Sequence, residues 1–366
     1  MIVLFALGSN GSGQLGIGHS EDVSVPKQVL VPESSDPSAP ISRVAAGGNH
    51  TLLLSSSGEL FWAGDATSGA CGRVNPEQKA ADPQFHHVNL TASAEESFKV
   101  GLIAATWEAS VVTRLNSGGR NTEVYTFGAG MKGELGLGEL IIRTPTPSRI
   151  ENFPPGGTEV VDLAACMGHV VVVLSNGEAY GWGNGRKGQL GAPDAVVNSP
   201  RKIEGIDFKV VRAVCGKDFT VLIGGGDDPR VLFLGADKFG IKAALPCTAE
   251  GWKDVRASWG NVYALKNDGK LESWGRDDHG QMMPENLPPV SKIAVGSEHV
   301  LALDEEGNVL TWGWGEHGNC GPKVENGDVK GRWNVIASTK FMPPNSNVTS
   351  IGAGCATSWI VIEIPS

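Results

Sequence analysis

The chain has 366 residues, with 30 Lys and Arg against 40 Asp and Glu, and a formal charge of −10. That sign argues against a nucleic-acid binder, whose affinity rests on neutralising phosphates. Hydrophobic residues make up 40%, charged residues 19%, and glycine fills 50 positions, which excludes a disordered chain and predicts a folded, glycine-punctuated one.

At the N-terminus, Ile2 to Leu7 is apolar but has no basic leader and runs directly into Gly8, so it predicts a strand and not a secretory signal. This run and Val170 to Leu174 fall far short of the ~20 apolar residues of a membrane-spanning helix. A cytoplasmic location is expected, with the nucleus open to the protein as well. Six cysteines, Cys71, Cys166, Cys215, Cys247, Cys320 and Cys355, form no CxxC pair and no zinc-spaced cluster with histidine. Reduced thiols are therefore expected.

From Gly8 onward one phrase recurs: an aromatic residue or leucine, a glycine, then a glycine-rich turn. Its anchors are Gly8, Gly64, Gly128, Gly183, Gly235, Gly275 and Gly313, roughly 40 to 60 residues apart, the period of propeller blades. Upstream of six anchors lies a second phrase of strand, tight turn, strand, polar turn and strand, clearest in Val44 to Leu54 and Ile293 to Leu303. Ser57-Gly58, Asn176-Gly177, Asp268-Gly269 and Glu306-Gly307 supply its hairpin turns. The seventh copy, Val348 to Thr357, has no anchor after it, and Ile2 to Gly8 has no copy before it. The pattern predicts an all-β, seven-bladed β-propeller, one domain over 1–366, closed by pairing the N-terminal and C-terminal strands so that no long edge stays open. Longer connections at Val31 to Ile41, Arg73 to Ser97, Asn116 to Glu123 and Val324 to Asn345 predict surface loops.

GxGxxG occurs at Gly128, Gly183 and Gly313, but always in the same repeat phase and never opening a helix, so it reads as a turn and not as a dinucleotide site. Its second glycine gives way to Asn10, Asp237 and Asp277, which predicts a left-handed position. Leu15, Leu135 and Leu190 share a register with Cys71, Met282 and Cys320, which become apolar fillers; Cys166, Cys215 and Cys355 sit beside the tight turn as core. His50, His169 and His299 share another register, matched by Asp218, Asn261 and Thr357, where a polar side chain bonds the adjacent turn. Trp182, Trp274 and Trp312 precede anchors, with Trp62 one residue further back, and are expected in blade cores. No nucleophile elbow, phosphate loop or HExxH appears, so no catalytic residue, cofactor or metal site is nominated.

Aligning the tight turns gives Gly48, Trp107, Met167, Gly216, Trp259, Ser297 and Cys355 at the first tip position, and Asn49, Glu108, Gly168, Lys217, Gly260, Glu298 and Ala356 at the second. Equivalent turns share one end of a propeller, so Trp107, Met167 and Trp259 are expected to project together, a partner-binding signature. Glu108 and Glu298 make the expected surface acidic, and Trp314 and Trp333 join it from a glycine turn and the last insertion. The alternative is that the tryptophans fold over the central channel.

The phrase Trp182-Gly183-Asn184-Gly185-Arg186-Lys187-Gly188-Gln189-Leu190-Gly191 and the Gly-x-x-His strand pairs resemble the regulator of chromosome condensation repeat over nearly the whole chain. The resemblance implies the seven-bladed propeller. Within that family, the opening from Leu7 to His19 and the Gly-Arg-Lys-Gly-Gln-Leu-Gly phrase look most like the fungal killer-toxin-insensitivity propellers. This implies a non-catalytic partner of a small CSL-type zinc-finger, iron-carrying protein in diphthamide synthesis and, indirectly, in Elongator-dependent tRNA wobble-uridine modification. Two other readings are guanine-nucleotide exchange on a Ran-like GTPase and a propeller enzyme with a central-channel site. The acidic balance argues against chromatin docking and against strong tRNA binding.

Overall fold

The computed structural model describes residues 1–32, 34, 36, 38–72, 82–90 and 98–365. Seven antiparallel sheets surround a channel, each with its first strand innermost. From the channel outward, blade I uses Ile41–Ala46, His50–Ser55, Leu60–Gly64 and His86–His87. Blade II uses Val100–Ala105, Ala109–Leu115, Asn121–Ala129 and Arg143–Arg149; blade III uses Val160–Cys166, His169–Leu174, Ala179–Asn184 and Val196–Lys202. Blade IV has Val210–Cys215, Phe219–Gly224 and Val231–Gly235, and blade V has Trp252–Ala257, Asn261–Lys266 and Leu271–Gly275. Blade VI uses Val290–Val295, His299–Asp304, Asn308–Trp314 and Asp328–Ser338. Blade VII joins Asn347–Ala353 and Thr357–Glu363 to Ile2–Gly8 and Val23–Gln28.

Blade VII is the expected closure. Ile2 pairs with Glu363 and the ladder runs in register to Gly8 opposite Thr357. Second strands are buried at every position in blades I, III, IV and VI, because neighbouring blades cover both sheet faces. Such strands read as continuous apolar runs, as in Val170 to Leu174, rather than as alternation. Trp182 and Trp312 are fully buried and Trp62 nearly so, as expected, while Trp274 is half-buried. The Trp182 indole N–H donates to the Glu134 carbonyl at 2.9 Å, tying blade III to blade II.

One expectation about connections changes. Val324 to Asn345 is not a loop: it holds the outer strand Asp328–Ser338 and the short turn Thr339–Phe341. Its charged residues belong to a solvent-facing edge, the composition that blunts edge strands, while Val329 is fully buried in the blade core. Most of Arg73 to Ser97 lies outside the described residues.

All seven anchor glycines stand at the last or last-but-one position of the third strand of their blade, with φ between 100° and 129°. A Cβ at Gly183 would lie under 3.0 Å from the Gly168 carbonyl oxygen, and one at Gly64 equally close to that of Asn49. The residue after each glycine donates its N–H to that same carbonyl, Asn184 to Gly168 at 2.7 Å and Asp65 to Asn49 at 2.8 Å. The anchor is thus a backbone-to-backbone approach that no side chain can enter. The second glycine of the turn is different: Asn10, Asp237 and Asp277 do not have positive φ. Their side-chain oxygens instead accept N–H groups five residues on, from Leu15 at 2.9 Å, Lys242 at 3.0 Å and Met282 at 3.0 Å. The left-handed residue is the third glycine, as at Gly133, Gly188 and Gly318.

The register histidines join blades instead of bonding their own turns. Nε2 of His50 lies 3.0 Å from Ser110 Oγ, His169 makes the same approach to Thr220 Oγ1, and His299 to Ser358 Oγ, also at 3.0 Å. Ser110 donates its hydroxyl to the Ala70 carbonyl at 2.6 Å and Ser358 to that of Asn319 at 2.8 Å, so the imidazole N–H is the donor. Burial lowers each histidine to a pKa of about 4 and keeps it neutral.

Gly183→Ala should lower the unfolding free energy by about 1–3 kcal/mol. Gly205→Ala, also at positive φ but with open space around its Cβ, should cost less. Urea unfolding midpoints with a common slope check this. The histidines bind protons more readily unfolded than folded, so their contribution is complete above pH 6.5 and is lost as pH falls toward about 4. His169→Asn, which installs the residue blade V carries at Asn261, should flatten the slope of stability against pH in that window by about 1.4 kcal/mol per pH unit. Unfolding curves of both proteins from pH 7 to pH 4.5 measure the difference.

Candidate partner-docking face

The tips of the first hairpins are hydrogen-bonded to one another in two arcs, blades I to III and blades IV to VII, around one end of the channel. Gly48 donates to the Trp107 carbonyl at 2.9 Å, Trp107 to Met167 at 2.8 Å, Lys217 to Trp259 at 3.0 Å and Trp259 to Ser297 at 3.0 Å. These bonds correct the alignment in blade IV by one residue. Gly216 donates to the Phe219 carbonyl as Gly47 does to that of His50, so Lys217 is the first tip residue and Phe219, not Asp218, occupies the histidine register.

Trp107 and Trp259 meet over the channel with ring centroids 6.0 Å apart, and the Lys217 ammonium lies 5.7 Å from the Trp259 ring. Both tryptophans line the channel end, as the packing alternative has it, yet Trp107 remains 40% exposed. Its ring rests on Gly48, where a Cβ would lie under 3.0 Å from the indole. Met167 is half-buried at the adjoining tip and Glu108 is exposed beside Trp107.

Glu298 is not part of this surface. Its carboxylate is buried against the Arg276 guanidinium at 2.5 Å and the Gln281 amide at 2.6 Å. Arg276 also holds the Asp278 carboxyl down to about 2. Trp314 is half-buried at the same end of the propeller, edge-on to His317 at 5.3 Å and 6.4 Å from His279. Trp333 stands apart from the tips, on the outer strand of blade VI, packed against that blade's core.

The structure adds residues that the tip alignment missed. Met131 is 77% exposed and Leu140 94%, with Ile141 and Ile142 half-exposed. Gly130 donates to the Ile142 carbonyl at 2.9 Å, so this apolar segment adjoins the glycine turn of blade II and extends the face outward from Trp107 and Glu108. The signal was present in the sequence: Leu140-Ile141-Ile142 stands where blade VII has Ser20-Glu21-Asp22. The charge on this end is also divided. Exposed Lys132, Arg186, Lys187 and Lys217 occupy blades II to IV, and exposed Asp277, Asp278 and Glu316 blades V and VI. The expected acidic and aromatic surface is thus aromatic but mixed in charge.

Cys166, Cys215 and Cys355 line the channel below the tips. Burial pushes all three thiols up, Cys215 to about 12, so they are protonated and unreactive at neutral pH. Cys71 and Cys320 are buried fillers as expected. Among the described residues no group of three or more His, Cys, Asp or Glu is placed to hold a metal ion, and no helix is long and apolar enough to cross a membrane.

Residues 3–360 match the family described as the RCC1-like domain. The chain belongs to that family. An RCC1 repeat-containing protein of Schizosaccharomyces pombe is 30% identical over 379 residues, covering 99% of this chain and 99% of the relative. The secretion-regulating guanine nucleotide exchange factor of Mus musculus is 26% identical, covering 100% of this chain and 84% of the relative. Among solved structures, Prp20p of Saccharomyces cerevisiae superposes with a TM-score of 0.83 at 22% identity, over 100% of this chain and 92% of its own. The fold and its seven blades agree with that structure.

The two glutamates of the tip alignment separate in a stability measurement. Glu298→Ala removes the buried acceptor of Arg276 and Gln281, while Arg276 keeps Asp278, and should cost about 1.5–3 kcal/mol, the range for a hydrogen bond to a charged group. Glu108→Ala should change stability by less than about 0.5 kcal/mol. Chemical unfolding of the two variants reads the contrast.

Proposed function

We propose that this propeller is a non-catalytic scaffold whose tip face holds a small CSL-type zinc- and iron-binding protein. The pair then supports diphthamide synthesis on elongation factor two and, indirectly, Elongator-dependent tRNA wobble-uridine modification, in the cytoplasm and with access to the nucleus. The observation that carries the docking face is Trp107, a large aromatic held in a fixed pose by Trp259 and Gly48 yet 40% exposed, with Glu108 beside it. A rigid, half-exposed tryptophan is the anchor that interfaces favour, because a partner gains its desolvation at little entropic cost. The exposed Met131 and Leu140 enlarge the apolar area, and the flanking basic and acidic sectors supply polar complementarity at the rim. The nature of the partner is inferred from the resemblance of the repeat phrases to the fungal killer-toxin-insensitivity propellers.

A second reading has specific support in the relatives. One is a guanine nucleotide exchange factor by name, and the structure of Prp20p was described together with its binding to Gsp1p and histones. Exchange on a Ran-like GTPase requires a docking face and no reactive side chain, so the same surface could serve it.

Affinity purification of the full chain from cell extract should recover a small zinc- or iron-binding protein in equimolar amount. By calorimetry, Trp107→Ala should weaken that complex by about 2 kcal/mol, roughly 30-fold. Leu140→Asp, remote from the channel, should weaken it without disturbing the fold. Normal binding by both folded variants would remove the docking face. Faster nucleotide release from a Ran-like GTPase, with no small metal-binding protein recovered, would favour the exchange reading.

A further inference from the structure

Below the tips, the channel wall carries charge. Arg43, Asp162 and Arg212 sit at one level on the innermost strands of blades I, III and IV, and Arg256 of blade V stands closer to the tips; all four line a cavity of about 480 Å³. Four residues of strand separate that level from the turns, about 13 Å. Asp162 accepts the Ala213 N–H at 2.8 Å and faces Arg212 Nε at 3.8 Å. Arg212 donates to Asp254 at 3.0 Å, and Arg256 Nε donates to the other oxygen of Asp254 at 3.0 Å. Two arginines and two aspartates thus neutralise one another along blades III to V.

Arg43 is left over. Among the described residues its guanidinium makes no hydrogen bond and no ion pair, and both terminal amino groups of Arg256 are likewise unspent. Solvent reaches both side chains through the channel. The walls still remove enough hydration to lower the Arg43 pKa, with Asp162 opposing the shift and the Arg256 and Arg212 charges adding to it. Lys292, at the same level on the innermost strand of blade VI, is spent on the Thr349 carbonyl but adds its charge, so four positive groups stand against two negative ones, an excess of two in a chain whose total is −10. Channels with low-dielectric walls focus such a field, and an unpaired cation among like charges is relieved by an anion.

We propose that the central channel is an anion site for a compact phosphate-bearing ligand, held by Arg43 with Arg212 and Arg256. The three guanidinium groups come from blades I, IV and V and so approach from different sides. A tetrahedral phosphate offers oxygens in all those directions, whereas a planar carboxylate is satisfied by one guanidinium fork. Entry is from the face opposite the tips, since Trp107 and Trp259 cover the tip end. The site is separate from the docking face and does not depend on it.

Calorimetric titration of the full chain with sodium pyrophosphate at low ionic strength tests the assignment, with citrate as the carboxylate comparison. Saturable binding at one site is expected, weaker by about tenfold or more in Arg43→Gln, the loss expected for one charge-assisted hydrogen bond. Arg256→Gln should weaken binding too, and Lys202→Gln, on the outermost strand of blade III, should leave it unchanged. Absence of saturable pyrophosphate binding, equal affinity in folded Arg43→Gln, or tighter binding of citrate than of pyrophosphate would each overturn the proposal.

Discussion

The structure depends on one repeated approach of backbone to backbone. At the end of each third strand a glycine presses against the carbonyl of the tip turn, and the next N–H bonds that carbonyl. The contact fixes the height of each tip within its own blade, and bonds between tips and the buried histidine bridges then set blade against blade. Because the chain begins with a third strand, its first glycine, Gly8, can lie against the Ala356 carbonyl only when the two chain ends share a sheet. Local geometry and ring closure are thus the same constraint at two scales.

That constraint is also why so much of the fold was legible. A glycine that tolerates no Cβ recurs at a readable interval, and seven of them number the blades. What was hidden followed other physics. Asn10, Asp237 and Asp277 looked like left-handed residues, but each uses its side-chain oxygen to close the turn, a choice that composition alone does not separate. The outer strand Asp328–Ser338 is charged because it is an edge, and so it resembled a loop. The one-residue slip in blade IV arose because Phe219 replaces a polar residue in the histidine register, removing the landmark from Cys215-Gly216-Lys217-Asp218.

The candidate site was half legible for a similar reason. Trp107, Met167 and Trp259 stand out against turn tips that are otherwise small or polar, and the structure brings them to one end of the channel. Glu298 is a tip residue by sequence, but its pairing with Arg276 across the blade boundary depends on three-dimensional packing. Trp333 was drawn in by an insertion that is in fact a strand. Met131 and Leu140 lie outside the tip alignment because they belong to the glycine turn of blade II, further from the channel than the hairpin tips.

The molecule therefore presents a rigid ring with two differently built ends: tip turns capped by tryptophan on one side, and polar hairpins such as Asn176-Gly177 and Asp268-Gly269 on the other. The two ends differ in what a partner would meet, so the end it covers identifies the docking face. Hydrogen exchange of the full chain, alone and with its co-purified small metal-binding protein, decides this directly. Protection is predicted at the tips carrying Trp107, Met167 and Trp259 and around Leu140, with the Asn176 and Asp268 hairpins unchanged. Protection confined to those hairpins would contradict it.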